Sequence, residues 1–455
     1  MAALLAHLAQ EDSHLPPGPE HIGSVTRVVH ELTVRLARRH PLILGAVHHP
    51  GDVREEEANG VRYLRFGKGA DTAVLGSLYR WRNRIGRWFG IEERPYAASR
   101  AYFHTYIRRV ARRLAREDPD LVHLHNVSQF VPPLRDALPR ARLVLQMHCE
   151  WLVELPPHVI ARRLAAVDLV LGVSQHIVRQ IQTAFPEVAD RCRVLHNGID
   201  PVAFPPRERV AARRGAELAA LRAGYGICGP VILYVGRLSA EKGVHVLLEA
   251  FSRVRVQHRT ATCILVGPDW GPIRRVRDTS RDPGSLARLD HDYVGHLRRQ
   301  SAPHGDRVVL AGAVPNHDLS VYYALADVLV APSLIEAFGL PAVEASASGL
   351  PVVASATGGL LDTVVPDLSG LLVPPGDAAA LARAIEQVLG DPARASALGR
   401  AGRDRVLARF TWDRIAETLA AYYESILGRA PADGAHILAS RAPFDAGRLA
   451  ARAAP

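Results

Sequence analysis

The sequence predicts an α/β protein built from two parallel-sheet domains, and three observations carry that expectation. At 455 residues the chain is too long for one compact core. Short apolar runs alternate with apolar-periodic helical stretches almost from end to end, which is the pattern of βαβ units and parallel sheets. Hydrophobic residues make up 48% and charged residues 22%, the balance of a water-facing globular chain.

The same composition narrows the class. No stretch approaches the roughly 18 uninterrupted apolar residues of a membrane span. The opening MAALLAHLAQEDSHL has no basic leader, so no signal segment is expected. Cys149, Cys192, Cys228 and Cys263 are widely spaced, form no metal-type cluster and suit a reducing cytoplasm. Net charge is +10, yet the cations are almost all arginine, with Lys68 and Lys242 the only lysines. A lysine kept against such a bias is expected to be needed as a lysine.

Taken in order, Ala2–Leu8 reads as the first strand. The loop from Gln10 to Gly23 leads to Ser24, a candidate cap for a helix with Val25, Val28, Val29, Leu32 and Leu36 on one face. Leu42–Val47 and Val61–Phe66 are strands, and GDVREEEANG between them reads as a polar turn. From Arg80 to Arg116 there are eleven arginines against two glutamates, interleaved with Trp81, Trp88, Phe89, Tyr96, Tyr102, Phe103 and Tyr106. That mixture suits a peripheral membrane surface or an anionic partner, while Ala101–Arg116 alone reads as a solvated helix with an apolar core stripe. Leu121–His125 and Arg142–Met147 are buried strands that deliver His125 and His148 to the edge where ligands sit in open α/β sheets. Asp168–Val173 is a further strand, and Ser174 caps the next helix.

Pro201–Gly229, rich in Pro, Ala and Arg, reads as a linker with a short helix. Val231–Val235 opens the second half and runs into Gly236-Arg237-Leu238-Ser239-Ala240-Glu241-Lys242-Gly243, with a helix from Val244. Two cations and a helix N-terminus aimed at one point suit a diphosphate. Thr262–Val266 and Arg307–Leu310 are strands flanking a polar insertion over residues 268–303, and Asp377–Arg409 is helical.

The stretch that organises the rest is PSLIEAFGLPAVEASASGLPVVASATGG, Pro332 to Gly359. Val328–Ala331 is a strand stopped by Pro332-Ser333, and Pro341 pre-sets the first turn of a helix that ends at Gly349. Val352-Val353-Ala354 is the next strand, and Ser355–Gly359 is a small-residue loop whose N–H groups suit an anion. Glu336 then sits on a strand-to-helix loop and Glu344 a turn inside the helix. Eight helical steps would separate them by about 12 Å, so they read as anchors for the two ends of an elongated ligand rather than a proton-sharing pair.

This pattern, with Arg237 and Lys242, resembles the donor site of retaining glycosyltransferases of the glycogen-synthase-like (group 1) family. The run VHLHNVSQFVPPLRDALPRARLVLQMH and the turn His196-Asn197-Gly198-Ile199-Asp200 look most like the spore-coat-type bacterial branch. The resemblance implies the GT-B fold, two Rossmann-like domains facing across a cleft. It implies a first, acceptor-side domain over 1–204, a linker over 205–229, a nucleotide-sugar-binding domain over 230–410, a helix over 411–429 that crosses back to the first domain, and a loose tail over 430–455.

The same resemblance implies roles. Glu336 contacts the donor sugar, Glu344 the nucleotide ribose, Arg237 and Lys242 the leaving diphosphate, and His148 lies near the reacting sugar. Gly23, Val314, Phe338, Gly339 and Leu340 complete the donor-binding set. The family pattern has adjacent glycines in the first loop, whereas here Gly18 and Gly23 stand apart. The expected co-substrate is a UDP- or GDP-sugar, with no cofactor and no metal. Asp118-Pro119-Asp120 and Asp290-His291-Asp292 are not placed after a strand in a nucleotide site. No phosphate loop of the NTPase type, hydrolase elbow or nucleic-acid motif is present. The expected activity is transfer of a sugar to an acceptor hydroxyl on a polysaccharide, lipid or small metabolite. The alternatives are a sugar-nucleotide epimerase on the same fold and a non-catalytic, arginine-rich protein that binds anionic surfaces or nucleic acid.

Overall fold

The computed structural model describes residues 2–9, 23–49, 53–67, 71, 77–78, 81–82, 102–269 and 292–428. Two sheets organise them. In the first, β1 (Leu5–Leu8), β2 (Leu42–Val47), β3 (Glu55–Ala58), β4 (Val61–Phe66), β5 (Leu121–His125), β6 (Arg142–Met147), β7 (Leu169–Gly172) and β8 (Cys192–Val194) take the order β3-β4-β2-β1-β5-β6-β7-β8. All pairings are parallel except β3 with β4. Strands β1, β2 and β5 are buried along their whole length, as parallel strands covered on both faces must be.

The second sheet comprises β9 (Val231–Val235), β10 (Thr262–Val266), β11 (Val308–Gly312), β12 (Val328–Ala331), β13 (Val352–Ser355) and β14 (Leu371–Val373), in the order β11-β10-β9-β12-β13-β14. Every pairing is parallel. Each sheet starts at a central strand, β1 or β9, and grows first to one side and then to the other. The reversal opens a crevice at the carboxyl ends of β1 and β5 and of β9 and β12.

Two expectations on the first sheet need correcting. GDVREEEANG is not simply a turn, because Glu55–Ala58 forms an antiparallel edge strand closed by Asn59 and Gly60, both at positive φ (55° and 75°), the geometry of a two-residue hairpin turn. Its glutamates are held by arginines, Arg65 to Glu56 at 2.8 Å and Arg113 to Glu55 at 3.1 Å, and charge suits an exposed edge. At the helix Ser24–Leu36 the cap position belongs to Gly23, and no side chain caps it. The helix His104–Glu117 buries Tyr106, Ile107, Val110, Ala111 and Leu114, so its aromatic and apolar stripe is core. Residues 83–101, which hold four of the eleven arginines and three of the seven aromatic residues of the arginine- and aromatic-rich segment, lie outside the described residues, as do 10–22, 270–291 and 429–455.

Residues 205–229 are more ordered than a linker. They form the helices Arg207–Arg213 and Gly215–Gly224, tied to the second domain by Arg207 N–H to the Ser348 carbonyl at 3.0 Å and Arg214 to Asp318 at 2.8 Å. The chain crosses between domains again at Ile199, whose N–H donates to the Phe410 carbonyl at 2.7 Å and whose carbonyl accepts from Trp412 N–H at 3.1 Å. Gly198 is required there, since a Cβ would lie 2.5 Å from the Trp412 ring. The helix Trp412–Ile426 then buries Trp412, Ile415, Leu419 and Tyr423 against Leu5, Val28, Leu32 and Leu44 of the first domain.

Candidate active site

The second sheet brings two loops together at its reversal point. After β9, Gly236 leads to Arg237, and a short turn Ala240–Lys242 ends at Gly243, which has φ 66° and stands so close that a Cβ would meet the Pro332 carbonyl oxygen at 2.0 Å. After β12, the N–H groups of Leu334 and Ile335 donate to the Glu241 carbonyl at 2.8 and 3.2 Å. The loops are therefore stitched backbone to backbone before any side chain acts. Across the stitch, Lys242 Nζ donates to Glu336 Oε2 at 2.8 Å and Ser333 Oγ donates to the same oxygen at 3.0 Å. Burial pushes the Glu336 carboxyl up, but the Lys242 charge, the hydrogen bonds from Lys242 and Ser333, and the Arg237 charge outweigh it and hold the group below the usual carboxylate range. Arg237 also pairs with Glu241 at 3.2 Å.

The Gly358-Gly359 pair serves this same residue. Gly359 N–H donates to the Glu336 carbonyl at 2.9 Å, and Gly358, at φ 52°, would place a Cβ 1.9 Å from that oxygen. The expectation that Ser355–Gly359 offers its N–H groups to an anion is narrowed here. Ala356, Thr357 and Gly359 donate to the carbonyls of Val373, Ser355 and Glu336. Through Gly359 the loop clamps the Glu336 backbone.

Glu344 is placed by the helix Leu340–Ala347, entered through Gly339 at φ 92°. It is only 4% exposed. Tyr323 Oη donates to Oε2 at 2.7 Å, and Arg27, from the helix Ser24–Leu36 of the first domain, donates to Oε1 at 3.1 Å. Burial raises the Glu344 carboxyl above its usual range despite the Arg27 charge and the Tyr323 and Arg27 hydrogen bonds. The two glutamates thus have separate partners and opposite shifts, in keeping with two distinct anchors.

The rest of the expected set is spread around this core. Gly23 opens the helix that carries Arg27. The Phe338 ring is buried against His196 and Phe410, at ring-centroid distances of 5.8 and 5.9 Å. What residues 338–340 can offer a ligand is backbone at a helix N-terminus. Val314 follows β11, an edge strand, and packs against the main core. His148 follows β6; its N–H donates to Asn126 Oδ1 at 2.7 Å and its Nε2 lies 3.1 Å from His125 Nδ1. Of the two Asp-x-Asp triplets, Asp118, Pro119, Asp120 and Asp292 are among the described residues, and Asp290 and His291 are not. Asp120 accepts from Leu4 N–H at 2.8 Å, and Asp292 caps a helix by accepting from Gly295 N–H at 3.0 Å.

Arg27, Tyr323, Ser333, His7 and Tyr423 were not singled out by sequence. His7 alone carried a signal, a histidine inside the apolar run LLAHLA. A third cross-domain contact was also unforeseen: Asp362 Oδ2 accepts from Gln175 N–H at 2.7 Å and lies 3.0 Å from His196 Nε2.

Comparison with known proteins decides the family. Residues 228–405 match the family described as glycosyl transferases group 1, and residues 25–202 match glycosyltransferase family 4. The 2-deoxystreptamine glucosyltransferase of Streptomyces kanamyceticus is 30% identical over 77% of this chain and 87% of its own. The chain belongs to the group 1 glycosyltransferases. Sucrose-phosphate synthase from Thermosynechococcus elongatus superimposes with a TM-score of 0.67 at 25% identity, covering 94% of this chain and 99% of that one. Anabaena HepE, solved with UDP-glucose, gives 0.62 at 21% identity, covering 93% and 100%. This group 1 glycosyltransferase therefore has the GT-B fold, with its two Rossmann-like domains joined through Arg27–Glu344 and the Trp412–Ile426 helix. Among its described residues no helix is long and apolar enough to cross a membrane.

Proposed function

We propose that this group 1 glycosyltransferase transfers a sugar from a UDP- or GDP-sugar to an acceptor hydroxyl, with retention at the anomeric carbon and without a metal. One observation carries the reading: Arg237 and Lys242 after β9 and Glu336 after β12 meet at the reversal point of the second sheet, with Lys242 and Glu336 2.8 Å apart. In such a transfer positive charge grows on the sugar ring and negative charge on the departing diphosphate. An ammonium carries three donors, so Lys242 can hold Glu336 with one and take a phosphate oxygen with another. Arg237, Lys242 and the backbone opening the helix Leu340–Ala347 supply fixed positive potential where the leaving group forms, a job two cations can do without a metal.

Glu336, kept ionised by its neighbours, orients the sugar hydroxyls, and Glu344 receives the ribose, sharing or replacing Arg27. His148 and Gly23 face the donor from the first domain, and Val314 reaches the base through its backbone. Closure of the cleft excludes water that would hydrolyse the donor. The HepE complex with UDP-glucose supports beginning with uridine donors. The cysteine pattern still suits a cytoplasmic enzyme, with residues 80–116 as its contact with a membrane surface.

The test is to incubate the protein with UDP-, GDP-, ADP- and dTDP-sugars in EDTA, with and without candidate hydroxyl acceptors. Acceptor-dependent release of one nucleoside diphosphate, with a product of the donor's anomeric configuration, is expected. A product isomer formed without acceptor would favour the epimerase, and an inverted product would remove retention.

A further inference from the structure

The two donor anchors are held differently. Glu336 takes Lys242 and Ser333 from its own domain, whereas Glu344 takes Tyr323 from its own domain and Arg27 from the opposite one. Both Glu344 oxygens are engaged, Oε2 by Tyr323 Oη at 2.7 Å and Oε1 by Arg27 Nη1 at 3.1 Å. The Glu344 side chain is only 6% exposed. A ribose hydroxyl must touch a carboxylate to bind it, and in this arrangement almost no carboxylate surface is left to touch.

Of the two groups on Glu344, only Arg27 is free to leave. Tyr323 is fully buried in the main core, whereas the Arg27 side chain is 23% exposed and ends a long flexible stem. The helix that carries Arg27 is itself fixed to the first domain, through buried Val28, Val29, Leu32 and Leu36 and through Arg35 paired with Asp413 at 2.8 Å. Arg27 therefore leaves Glu344 by turning its own side chain or by the first domain drawing back. The cross-domain contacts of Ile199 with Phe410 and Trp412, and of Asp362 with Gln175 and His196, involve neither glutamate. Among the influences that oppose burial at Glu344, the Arg27 charge is the largest. A carboxylate this deep cannot lose that donor without a replacement. A ribose hydroxyl is such a replacement, so ligand and arginine exchange on Oε1 rather than add.

We propose that Arg27 is the internal occupant of the ribose anchor: it holds Glu344 in the empty enzyme, and the ribose of an incoming nucleoside diphosphate displaces it. This role rests on the reading of Glu344 as the ribose anchor. The fraction of molecules in which Glu344 is free of Arg27 then sets the apparent affinity for the donor. Domain contact and donor binding compete for one carboxylate, so the empty cleft is held shut by the group that the donor must replace.

The test is calorimetric titration of wild type, Arg27→Met and Arg27→Gln with UDP, GDP and ADP in EDTA, with association and dissociation rates read by stopped flow for the diphosphate that binds. Losing a cation weakens anion binding through charge alone, so the exchange predicts the opposite sign. Arg27→Met, which keeps the stem and drops the charge, is expected to bind about tenfold more tightly, the equivalent of a contact of about 1.4 kcal/mol. The gain is expected in the association rate, with dissociation unchanged, because removing an occupant enlarges the competent fraction and adds no contact to the ligand. Arg27→Gln, which retains a neutral donor, is expected to fall between the two. Equal or weaker binding by both folded variants, or a gain confined to the dissociation rate, would overturn the proposal and leave the donor site standing. Binding by none of the three proteins would count against the donor-site reading itself and remove the proposal with it.

Discussion

Arg27 and Glu344, one on each domain, form an ion pair of 3.1 Å between side chains 23% and 6% exposed. Removing one partner of a buried pair leaves the other uncompensated, and such losses run to about 3–5 kcal/mol when burial is complete. With Arg27 partly exposed, a double-mutant cycle of Arg27→Ala and Glu344→Gln is expected to give a coupling energy of about 1–2 kcal/mol in chemical denaturation. A coupling near zero would mean that the pair does not hold the domains together in solution.

Lys242 sets the charge state of Glu336. Without it, burial is opposed only by Ser333 and Arg237, so the Glu336 pKa rises. Lys242→Met is expected to lower kcat by roughly 10²–10³, the range for loss of one preorganised electrostatic donor. It should also move the acid limb of the kcat/KM profile to higher pH. An acid limb that stays in place would separate Lys242 from Glu336.

The Gly358 clamp is tested by Gly358→Ala. The new Cβ must leave both a φ of 52° and a contact of 1.9 Å with the Glu336 carbonyl. The left-handed backbone alone costs about 1–2 kcal/mol. A lower melting temperature, with donor turnover lost more steeply than Gly390→Ala loses it, is the expected outcome; Gly390 has open space around it.

Much of this was legible in the sequence. The β12–loop–helix–β13 unit follows from apolar runs punctuated by Pro332, Gly349 and Pro351, and Lys242 stood out through the scarcity of lysine. Local pattern carries strand and helix boundaries because backbone geometry is set over a few residues. It does not carry partners: Arg27 meets Glu344 across 317 positions, and His123 meets Tyr423 across 300. The surroundings of Phe338 and of the Ser355–Gly359 loop were not legible for the same reason, since their neighbours His196, Phe410 and Glu336 come from other segments. Three consecutive glutamates concealed β3, because charge at an exposed edge resembles charge in a turn.

The buried histidines make stability fall on acidification. Above pH 6.5 the folded and unfolded rings are both neutral and nothing is at stake. As pH drops from 6.5 toward about 3, the unfolded chain takes up protons that His7 and His148 refuse in the fold. His123 and His125 are shifted in the same direction by burial and by neighbouring imidazoles. Each such ring removes up to about 1.4 kcal/mol per pH unit in that window. Urea midpoints should therefore drop between pH 7.5 and pH 5, before ordinary carboxylates titrate. A flat midpoint over that interval would show that the rings are not buried neutral.

The most direct measurement is calorimetric titration of the protein with UDP, GDP, ADP and dTDP in EDTA, repeated with Lys242→Ala and Glu344→Ala. One diphosphate is expected to bind without metal, and each substitution is expected to weaken it at least tenfold, Lys242 through the phosphates and Glu344 through the ribose. Metal-free binding left intact by both substitutions, or no binding of any of the four, would contradict the donor site described for Arg237, Lys242, Glu336 and Glu344.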